Sequence, residues 1–397
     1  MNRDRFPGLS DGWARLDGPA GTLMVDAAID AMAAWMRSPS GANAHGAFKA
    51  AAETDALVAE TRATAARLLG GDPAGIVFGP SMTAITMRFA ATVARSWRPG
   101  DEVVVTRLDH DANVRPWVIA AERAGCTVRY ADPEPGTLEL PAAAVAAHLC
   151  ERTRWVAVTA ASNACGTIPD LPGIVAAAGD AGARVYLDAV HATPHRRIDL
   201  RVLGADAVAC SAYKWFGPHV GMLCARPELL EELRPDKLMP SPDEVPDRFE
   251  LGTLPFESLA GVRAAAEYVL DVGYDAIRAA EEPLLAAALA GLDEIDGVTV
   301  HGRAPDRAPT LMFTVAGHTS EEVAHELAAR EVAVWHGNYY AWELERHAGL
   351  APDGAVRAGF VHYNDERDAE RLLDAVRALS GARRSGRPEP AGDAPDR

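Results

Sequence analysis

The residues best suited to covalent chemistry lie near the middle of the chain. An apolar run, Val185-Tyr186-Leu187, ends in Asp188, and a second apolar run ends in Ser211, three residues before Lys214. If the two runs are neighbouring parallel strands, the carboxylate and the amine meet at the same edge of a sheet. A lysine that forms a Schiff base, with a carboxylate that keeps a pyridine nitrogen protonated, is the arrangement that pyridoxal 5′-phosphate (PLP) requires.

The alternative interpretation of this pair is a solvated lysine beside an aspartate that caps the end of a strand. The segment after the lysine, Trp215-Phe216-Gly217-Pro218, is bulky and turns sharply. Large aromatic side chains of this kind are usually buried, whereas lysines are usually exposed. The local sequence therefore favours a lysine that serves the chemistry of a site.

Short β-branched runs alternate with alanine-rich helical stretches between about residues 50 and 230. Helices are predicted over 55–69 and 114–124, where apolar residues recur at three- and four-residue spacing. The predicted strands cover 75–78, 102–105, 127–130, 155–158, 184–187 and 207–210. This alternation is typical of an α/β fold in which helices cover both faces of a mostly parallel sheet, and such sheets bind ligands at the carboxyl ends of their strands.

The C-terminal third has a different pattern and predicts a compact α+β unit. Long helices are expected within 257–293. The strands are expected at 298–300, 310–315 and 331–335, and further helices at 320–330 and 365–379. We therefore predict four regions: an N-terminal segment over 1–30 that packs on the small domain, a large cofactor-binding domain over 31–256, a small domain over 257–380, and a disordered tail over 381–397.

Composition excludes several classes of function. Lys plus Arg is 39 and Asp plus Glu is 56, a net charge of −17, which disfavours nucleic acid and anionic membrane surfaces as partners. The sequence has no apolar run long enough to span a membrane and no secretory signal at its start. The five cysteines are widely spaced, so neither a disulfide framework nor a metal site is expected, and the predicted location is the cytoplasm.

The residues around the lysine resemble a known family. Asp188-x-x-His191 with Ser211-x-x-Lys214 and Gly217-Pro218 is similar to the class V aminotransferases among the fold-type I PLP enzymes, in particular their cysteine desulfurase-like branch, related to SufS-type enzymes and selenocysteine lyases. The resemblance runs from about Leu16 to Leu379. It implies a large domain with a mostly parallel seven-stranded sheet between helices, a smaller C-terminal α+β domain, and an enzyme that uses PLP on an amino acid.

Further motifs carry the resemblance and imply a set of cofactor ligands. The turn 78–83 resembles the family's phosphate-binding turn, the segment 108–117 its ring-stacking histidine motif, and the segment 162–167 its Ser-Asn-x-x-Gly-Thr turn. A serine at the start of a helix is also a common N-cap, so the first of these motifs is weak by itself. The implied cofactor-binding residues are Ser81, Met82, His110, Asn163, Asp188, His191, Ser211, Tyr213, Lys214, Gly252 and Thr253.

The resemblance also implies a substrate site and a subunit arrangement. Arg357, within Ala355-Val356-Arg357-Ala358, is expected to clamp an α-carboxylate. The implied substrate-binding residues are His45, Asn163, Asn338, Tyr339 and Arg357. In the family, the threonine that corresponds to Thr253 reaches the phosphate in the neighbouring subunit, which implies a homodimer with shared active sites.

One departure from the family pattern determines the predicted reaction. Desulfurases carry sulfur on a cysteine in a C-terminal loop, whereas this chain has Tyr340 at that position and no cysteine after Cys224. The predicted catalytic residues are Lys214, His110, Asp188 and Tyr340. We expect a β-eliminating C–S lyase that acts on a cysteine-derived amino acid without a persulfide. The alternatives are an aminotransferase, an epimerase, or an inactive binding protein on the same fold.

Overall fold

The computed structural model describes residues 3–382, and most of the predicted tail, from residue 383 onward, lies outside the described residues. The strands are β1 (Ala14–Arg15), β2 (Ile76–Gly79), β3 (Glu102–Thr106), β4 (Thr127–Ala131), β5 (Thr153–Thr159), β6 (Arg184–Asp188), β7 (Ala207–Ser211), β8 (Gly221–Ala225), β9 (Val298–His301), β10 (Thr310–Val315), β11 (Val332–Ala333), β12 (Trp335–Gly337) and β13 (Ala355–Gly359).

Thirteen α-helices surround the strands of the described chain. They are α1 (Asp26–Arg37), α2 (Lys49–Leu69), α3 (Met82–Val93), α4 (Arg115–Ala124), α5 (Ala142–Ala146), α6 (Leu171–Asp180), α7 (Leu200–Leu203), α8 (Pro227–Glu232), α9 (Phe256–Val272), α10 (Tyr274–Asp293), α11 (Ser320–Ala328), α12 (Trp342–His347) and α13 (Glu366–Ala382). Short 3₁₀ turns cover Arg3–Arg5, Pro7–Asp11, Pro73–Gly75, Ala94–Ser96, Asp111–Asn113, Ala212–Lys214 and Asp247–Phe249.

The large sheet has seven strands in the order β2-β8-β7-β6-β5-β3-β4. Every neighbouring pair from β7 to β4 is parallel, and β8 alone runs against the others. Alternate residues of one strand enter separate cores on the two faces: Val104 packs in one cluster and Val103 and Val105 in the other. Burial on both faces explains the continuous β-branched runs, and the predicted α/β fold with a mostly parallel sheet is confirmed.

Three strands, the two-residue β1 together with β8 and β13, were missing from the sequence prediction, and one predicted strand was wrong. The segments that form β8 and β13 are short and apolar without a clear alternation, so their periodicity does not separate strand from helix. The strand predicted over 331–335 is two strands: β11 pairs with β1, whereas β12 joins the small antiparallel sheet β12-β13-β10-β9.

The small sheet covers a third core, which α10, α11 and α13 complete with residues such as Leu292, Leu327 and Leu372. Helix α9 behaves differently from α10, although both were predicted as part of the small domain. Its buried residues, among them Leu259 and Val262, pack in the core of the large sheet. The domain boundaries of the sequence analysis stay predictions, but by packing α9 lies with the large sheet.

The N-terminal segment lies across both sheets. Its strand β1 pairs in parallel with β11 of the C-terminal region. Farther along, Thr22 N donates to the carbonyl of Tyr213, and Val25 N donates to the carbonyl of Phe216. A Cβ atom at Gly359 would lie 2.2 Å from the ring of Pro19, so this glycine permits the close passage of the segment over β13.

Candidate active site

A small cleft, with a cavity volume of about 60 Å³, opens at the carboxyl ends of the central strands. Strands β7, β6, β5 and β3 are consecutive neighbours in the sheet, so the residues that end or follow them meet at one edge. The cleft is lined by Ser81, Met82, Thr83, His110, Ala112, Thr159, Ala161, Asn163, Asp188, Val190, His191, Ser211, Tyr213 and Lys214. Nine of the predicted site residues are in this lining.

Lys214 is the one buried lysine among the three in the chain. Lys49 and Lys237 form ion pairs with Glu53 and Asp243 near the surface. Burial, followed by repulsion from Arg357, lowers the pKa of Lys214 to about 7. Its Nζ donates to the carbonyl of Pro19 in the N-terminal segment. An amine that is partly neutral near pH 7 is suited to act as a nucleophile or a base.

Asp188 ends β6 and lines the same cleft as Lys214. Burial raises the pKa of its carboxyl to about 6, while the Val190 N–H, which donates to Oδ1 at 2.9 Å, and the charge of Lys214 oppose that rise. The other carboxylate oxygen is not used by that hydrogen bond. A buried carboxylate with spare acceptor capacity is suited to bind a protonated nitrogen of a ligand.

His110 follows β3 and is held as a neutral ring. Its Nδ1 accepts a hydrogen bond from Ala112 N at 3.0 Å, which places the ring proton on Nε2. Burial lowers the pKa of His110 to about 4. The preceding residue, Asp109, is buried and accepts from Asn113 Nδ2 at 2.7 Å, and burial raises its pKa to about 8. The loop thus presents an uncharged hydrogen-bond donor to the cleft.

The turn after β2 brings the start of α3 to the same edge. Ser81 caps the helix, because its Oγ accepts from Ala84 N at 3.2 Å. Ser211, at the end of β7, accepts from Met82 N at 3.1 Å and so ties the turn to the lysine strand. A Cβ atom at Gly221 would lie 2.2 Å from the carbonyl carbon of Ser81, so only glycine allows this approach. A helix start of this kind suits an anionic group.

His191 lines the cleft and belongs to a buried polar cluster. Its Nε2 is 2.8 Å from the hydroxyl of Thr310. Burial, together with nearby positive groups, lowers its pKa well below the usual value. The ring of His195 lies 5.3 Å away, and its Nδ1 is 2.9 Å from Glu281 Oε2. His191 therefore lines the site as a neutral ring held by the small sheet.

Arg357 and Asn163 meet at the junction of the two sheets. One guanidinium nitrogen of Arg357 donates to the carbonyl of Asn163 at 2.9 Å, and the ring of Tyr339 lies 4.5 Å from the guanidinium carbon. Both side chains keep unused polar atoms, because Arg357 Nε and Asn163 Oδ1 are buried without a hydrogen-bond partner among the described residues. Burial lowers the pKa of Arg357 to about 10, so it remains charged at neutral pH.

The loop from 337 to 341 holds the other predicted residues of the C-terminal region. The Tyr339 hydroxyl donates to the carbonyl of Ala355, and its ring packs against the guanidinium of Arg357. Its predicted contact with a substrate stays a prediction. Asn338 Oδ1 accepts from Tyr340 N at 3.0 Å within the loop. The ring of Tyr340 is 72% exposed and stacks on His110, with ring centroids 5.4 Å apart.

Besides Arg357, Asn338, Tyr339 and Tyr340, three more predicted residues are absent from the lining of the cleft within one chain. His45 lies on the surface, and its Nδ1 is 3.0 Å from Asp55. Gly252 and Thr253 lie on an exposed loop, and Thr253 lines a separate apolar groove with His219 and Phe249. Their predicted roles at the substrate entrance and at a neighbouring subunit's phosphate stay predictions.

Several cleft residues were missed by the sequence analysis. Thr83 and Thr159 line the cleft, and Pro19 supplies the carbonyl that Lys214 contacts. Thr159 ends β5 next to Asp188, so its place at a strand's carboxyl end was a usable signal. Pro19 gave no such signal, because it reaches the site only through tertiary packing. Within residues 3–382, no group of three or more His, Cys, Asp or Glu side chains is placed to hold a metal ion, and no helix is long and apolar enough to cross a membrane.

Comparison with known sequences gives a consistent result. The model of the family described as aminotransferase class-V matches residues 14–372. A probable cysteine desulfurase of Aeropyrum pernix is 31% identical over 405 residues, which cover 96% of this chain and 98% of that protein. Probable cysteine desulfurase 2 of Mycobacterium leprae is 36% identical over 296 residues, 70% of this chain and 69% of that protein. An uncharacterized protein of Mycobacterium tuberculosis is 30% identical over 393 residues, 95% of this chain and 98% of that protein.

Solved structures agree with the fold. The apo cysteine desulfurase of Thermococcus onnurineus NA1 superposes with a TM-score of 0.91 at 25% identity, covering 96% of this chain and 97% of that one. The S-sulfonic acid form of the cysteine desulfurase CsdA of Escherichia coli has a TM-score of 0.87 at 27% identity, covering 95% and 97%. The cystine C–S lyase C-DES, in complex with its product cysteine persulfide, shares the fold with a TM-score of 0.80 at 21% identity, covering 94% and 99%.

Proposed function

The chain belongs to the class-V aminotransferase family, and from this premise we propose that it is a PLP-dependent C–S lyase acting on a cysteine-derived amino acid without a persulfide on the protein. The products are a thiol or a related sulfur species, together with pyruvate and ammonia from the carbon skeleton. The observation that carries the proposal is a cleft with a buried lysine and aspartate but no reactive cysteine. Relatives named cysteine desulfurases support the cofactor and the substrate class.

The cleft has the donor set that PLP requires. Lys214 is the residue that would bind the aldehyde carbon, and Asp188, with an unused carboxylate oxygen, would hold the ring nitrogen. The helix start at Ser81, Met82 and Thr83 would hold the phosphate, since all three residues line the cleft. When bound, PLP withdraws electrons from the substrate's α-carbon.

The protein's own groups would then divide the remaining work. Lys214, with its pKa lowered to about 7, would take the α-proton once it is free. The neutral His110 would donate from Nε2 and not accept there, because Nδ1 is already occupied by Ala112 N. Arg357 would bind the α-carboxylate with the guanidinium group that β13 directs toward Asn163.

The positions of all five cysteines support a reaction without persulfide. Cys126 and Cys150 precede β4 and β5, at the end of the sheet opposite the cleft. Cys210 and Cys224 are buried within strands, and burial raises the pKa of each thiol to about 12. Cys165 is buried beside Thr167, with sulfur and hydroxyl 3.3 Å apart. None of these thiols is among the residues that line the cleft.

The test combines product analysis with mass spectrometry. The holoenzyme is incubated with S-substituted cysteines and with cysteine, and pyruvate, released thiol, keto acid and alanine are measured. We expect pyruvate and thiol in equal amounts, and no mass increase of the alkylated protein during turnover with cysteine. A stoichiometric sulfur adduct on any cysteine, formed as fast as alanine appears, would show that the protein is a rewired desulfurase. A keto acid that retains the sulfur substituent would identify an aminotransferase. An amino acid of inverted configuration would identify an epimerase.

We propose a homodimer with shared sites and a cytoplasmic location as parts of the same function. The exposed Gly252-Thr253 loop lies beside an apolar groove lined by Phe249 and Leu254, a surface suited to a second subunit. Five free cysteines support a reducing compartment. Sedimentation of the holoenzyme tests the dimer, and mixing Lys214→Ala with Thr253→Ala protein should restore part of the activity if the sites are shared. A fully active monomer would contradict the dimer.

A further inference from the structure

Trp335 lies in the same cross-strand row as Arg357. Strands β12 and β13 are antiparallel, and Trp335 pairs with Arg357, which pairs in turn with Met312 of β10. Directly opposed residues of antiparallel strands project from the same face, with Cβ atoms about 4.5–5.5 Å apart. This face looks toward the large sheet, because Arg357 donates to Asn163 and Met312 is buried in the large sheet's core. Trp335 therefore projects from the face that looks toward the large sheet.

The indole of Trp335 is not buried by that position. Half of its surface, 51%, is exposed, whereas the neighbouring Arg357 is almost fully buried. The next residue, His336, projects from the opposite face, where its ring approaches that of His325 on α11. The row thus runs from a buried guanidinium to an exposed indole on the side of the small sheet that faces the large sheet.

Tyr340, five residues after Trp335, supplies a second exposed aromatic ring beside the cleft. Its ring stacks on His110, which lines the cleft. Its backbone is fixed from two sides, since its carbonyl accepts from Asp111 N at 2.6 Å and its N–H donates to Asn338 Oδ1 at 3.0 Å. Tyr339 and Tyr340 both adopt positive φ angles, 53° and 60°, which a residue with a side chain adopts only when its surroundings impose them. The backbone that carries the ring is therefore held in place.

We propose that Trp335 and Tyr340 form a subsite for a flat aromatic group carried on the substrate's sulfur, so that the substrate class is an S-aryl or S-arylmethyl cysteine conjugate. This inference rests on the proposed function. With the α-carboxylate at Arg357, the rest of the substrate extends along the row toward Trp335. The aromatic group of the substrate would stack with an offset on these two rings. Its binding would remove the exposed surfaces of Trp335 and Tyr340 from water.

The binding test uses ligands that cannot lose an α-proton. Dissociation constants of S-benzyl-, S-cyclohexylmethyl- and S-methyl-α-methylcysteine are measured by calorimetry on the holoenzyme. We expect the benzyl compound to bind about tenfold more tightly than the methyl compound, with the cyclohexylmethyl compound between them. In Trp335→Ala, this benzyl preference should fall to about threefold or less, while the affinity for the methyl compound changes little. Tyr340→Ala should lower the benzyl preference to the same extent.

Trp342→Ala is the matched control. Trp342 is also exposed, but its ring lies against Arg346, with 5.4 Å from the guanidinium carbon to the ring centre, so the benzyl preference should persist in that variant. A benzyl preference below about fivefold in the wild type, or one that survives in both Trp335→Ala and Tyr340→Ala, would overturn the subsite. If the preference is seen but no conjugate yields thiol and pyruvate, the subsite stands and the lyase proposal fails.

Discussion

Charged side chains at the two ends of the large sheet differ in their pairing and in the direction in which their pKa values are shifted. At the amino end, Glu102 begins β3 and is bound by Arg129 at 3.0 Å and Arg152 at 2.8 Å. These hydrogen bonds lower the pKa of Glu102 to about 2. At the carboxyl end, Asp188 and Lys214 share a cleft, and burial moves both pKa values toward neutrality, to about 6 and about 7.

The difference separates charges that stabilise the fold from charges that serve a ligand. A carboxylate whose pKa is lowered contributes stability to the folded state at neutral pH. A buried carboxylate with a raised pKa and a buried amine with a lowered pKa destabilise the folded state unless a ligand satisfies them. At the amino end of the sheet, the charges are paired within the protein, whereas at the carboxyl end they are available to a ligand. Neutral substitutions at the two ends should therefore change the free energy of unfolding in opposite directions.

The largest expected effect comes from Lys214→Ala. Loss of both the bond to the cofactor and the α-proton base should lower turnover by about a thousandfold or more. Borohydride reduction of the wild type should trap the cofactor on one peptide, and this adduct should be absent in the variant. Lys49→Ala and Lys237→Ala remove the only other lysines and should keep both the adduct and the activity. An adduct on either of them would contradict the assignment of Lys214.

Asp188→Asn should separate activity from stability. Turnover should fall by about a hundredfold or more, because an amide does not stabilise a charged ring nitrogen as a carboxylate does. The cofactor-free variant should nevertheless be more stable than the wild type by roughly 2 kcal/mol at pH 8. Since the folded pKa is raised, this difference should shrink as pH falls below about 6 and vanish below the unfolded value of 3.8. Urea unfolding at several pH values measures it, and a less stable cofactor-free variant at pH 8 would break the comparison.

Glu102→Gln, at the amino end of the sheet, should destabilise the folded protein, whereas Asp188→Asn should stabilise it. We expect a loss of about 1–2 kcal/mol in the free energy of unfolding at pH 7, a modest value because Arg129 and Arg152 are half exposed. The pKa of Glu102 is lowered in the folded state. The difference in the free energy of unfolding between variant and wild type should therefore be largest above pH 4.5 and should disappear as the pH falls toward about 2. Turnover should stay within twofold of the wild type. A large loss of activity would show that the amino end also serves the site.

The smallest effect is expected for Tyr340→Phe. The substitution keeps the ring that stacks on His110 and removes only the hydroxyl, so turnover should fall a few-fold at most while cofactor affinity is unchanged. Tyr339→Phe is the matched comparison, since it removes the hydroxyl that donates to Ala355 and should cost about 1 kcal/mol of stability. Equal loss of activity in the two variants would argue against proton transfer by Tyr340.

Much of the fold followed from periodicity and strand ends. The alternating runs predicted the parallel sheet because strands buried on both faces are continuously apolar. Asp188 and Ser211 close two such runs, so their meeting at one edge followed from the rule for parallel strands, and the structure brings both into one cleft. The antiparallel β8 was missed because its five residues carry no alternation, although it lies between β2 and β7 and sets the distance from Ser81 to Lys214.

The sequence by itself determined the chemistry that is available: one lysine in an apolar, turning context, one aspartate at a strand end, and no cysteine after Cys224. Tertiary structure alone decided how these groups are tuned. The pKa of Lys214 is lowered because the N-terminal segment and Arg357 of β13, far apart along the chain, close over it. Tyr339 packs against Arg357 through a loop in which two non-glycine residues adopt positive φ angles. Burial and backbone strain depend on contacts between distant segments, which residue types and spacing do not encode locally.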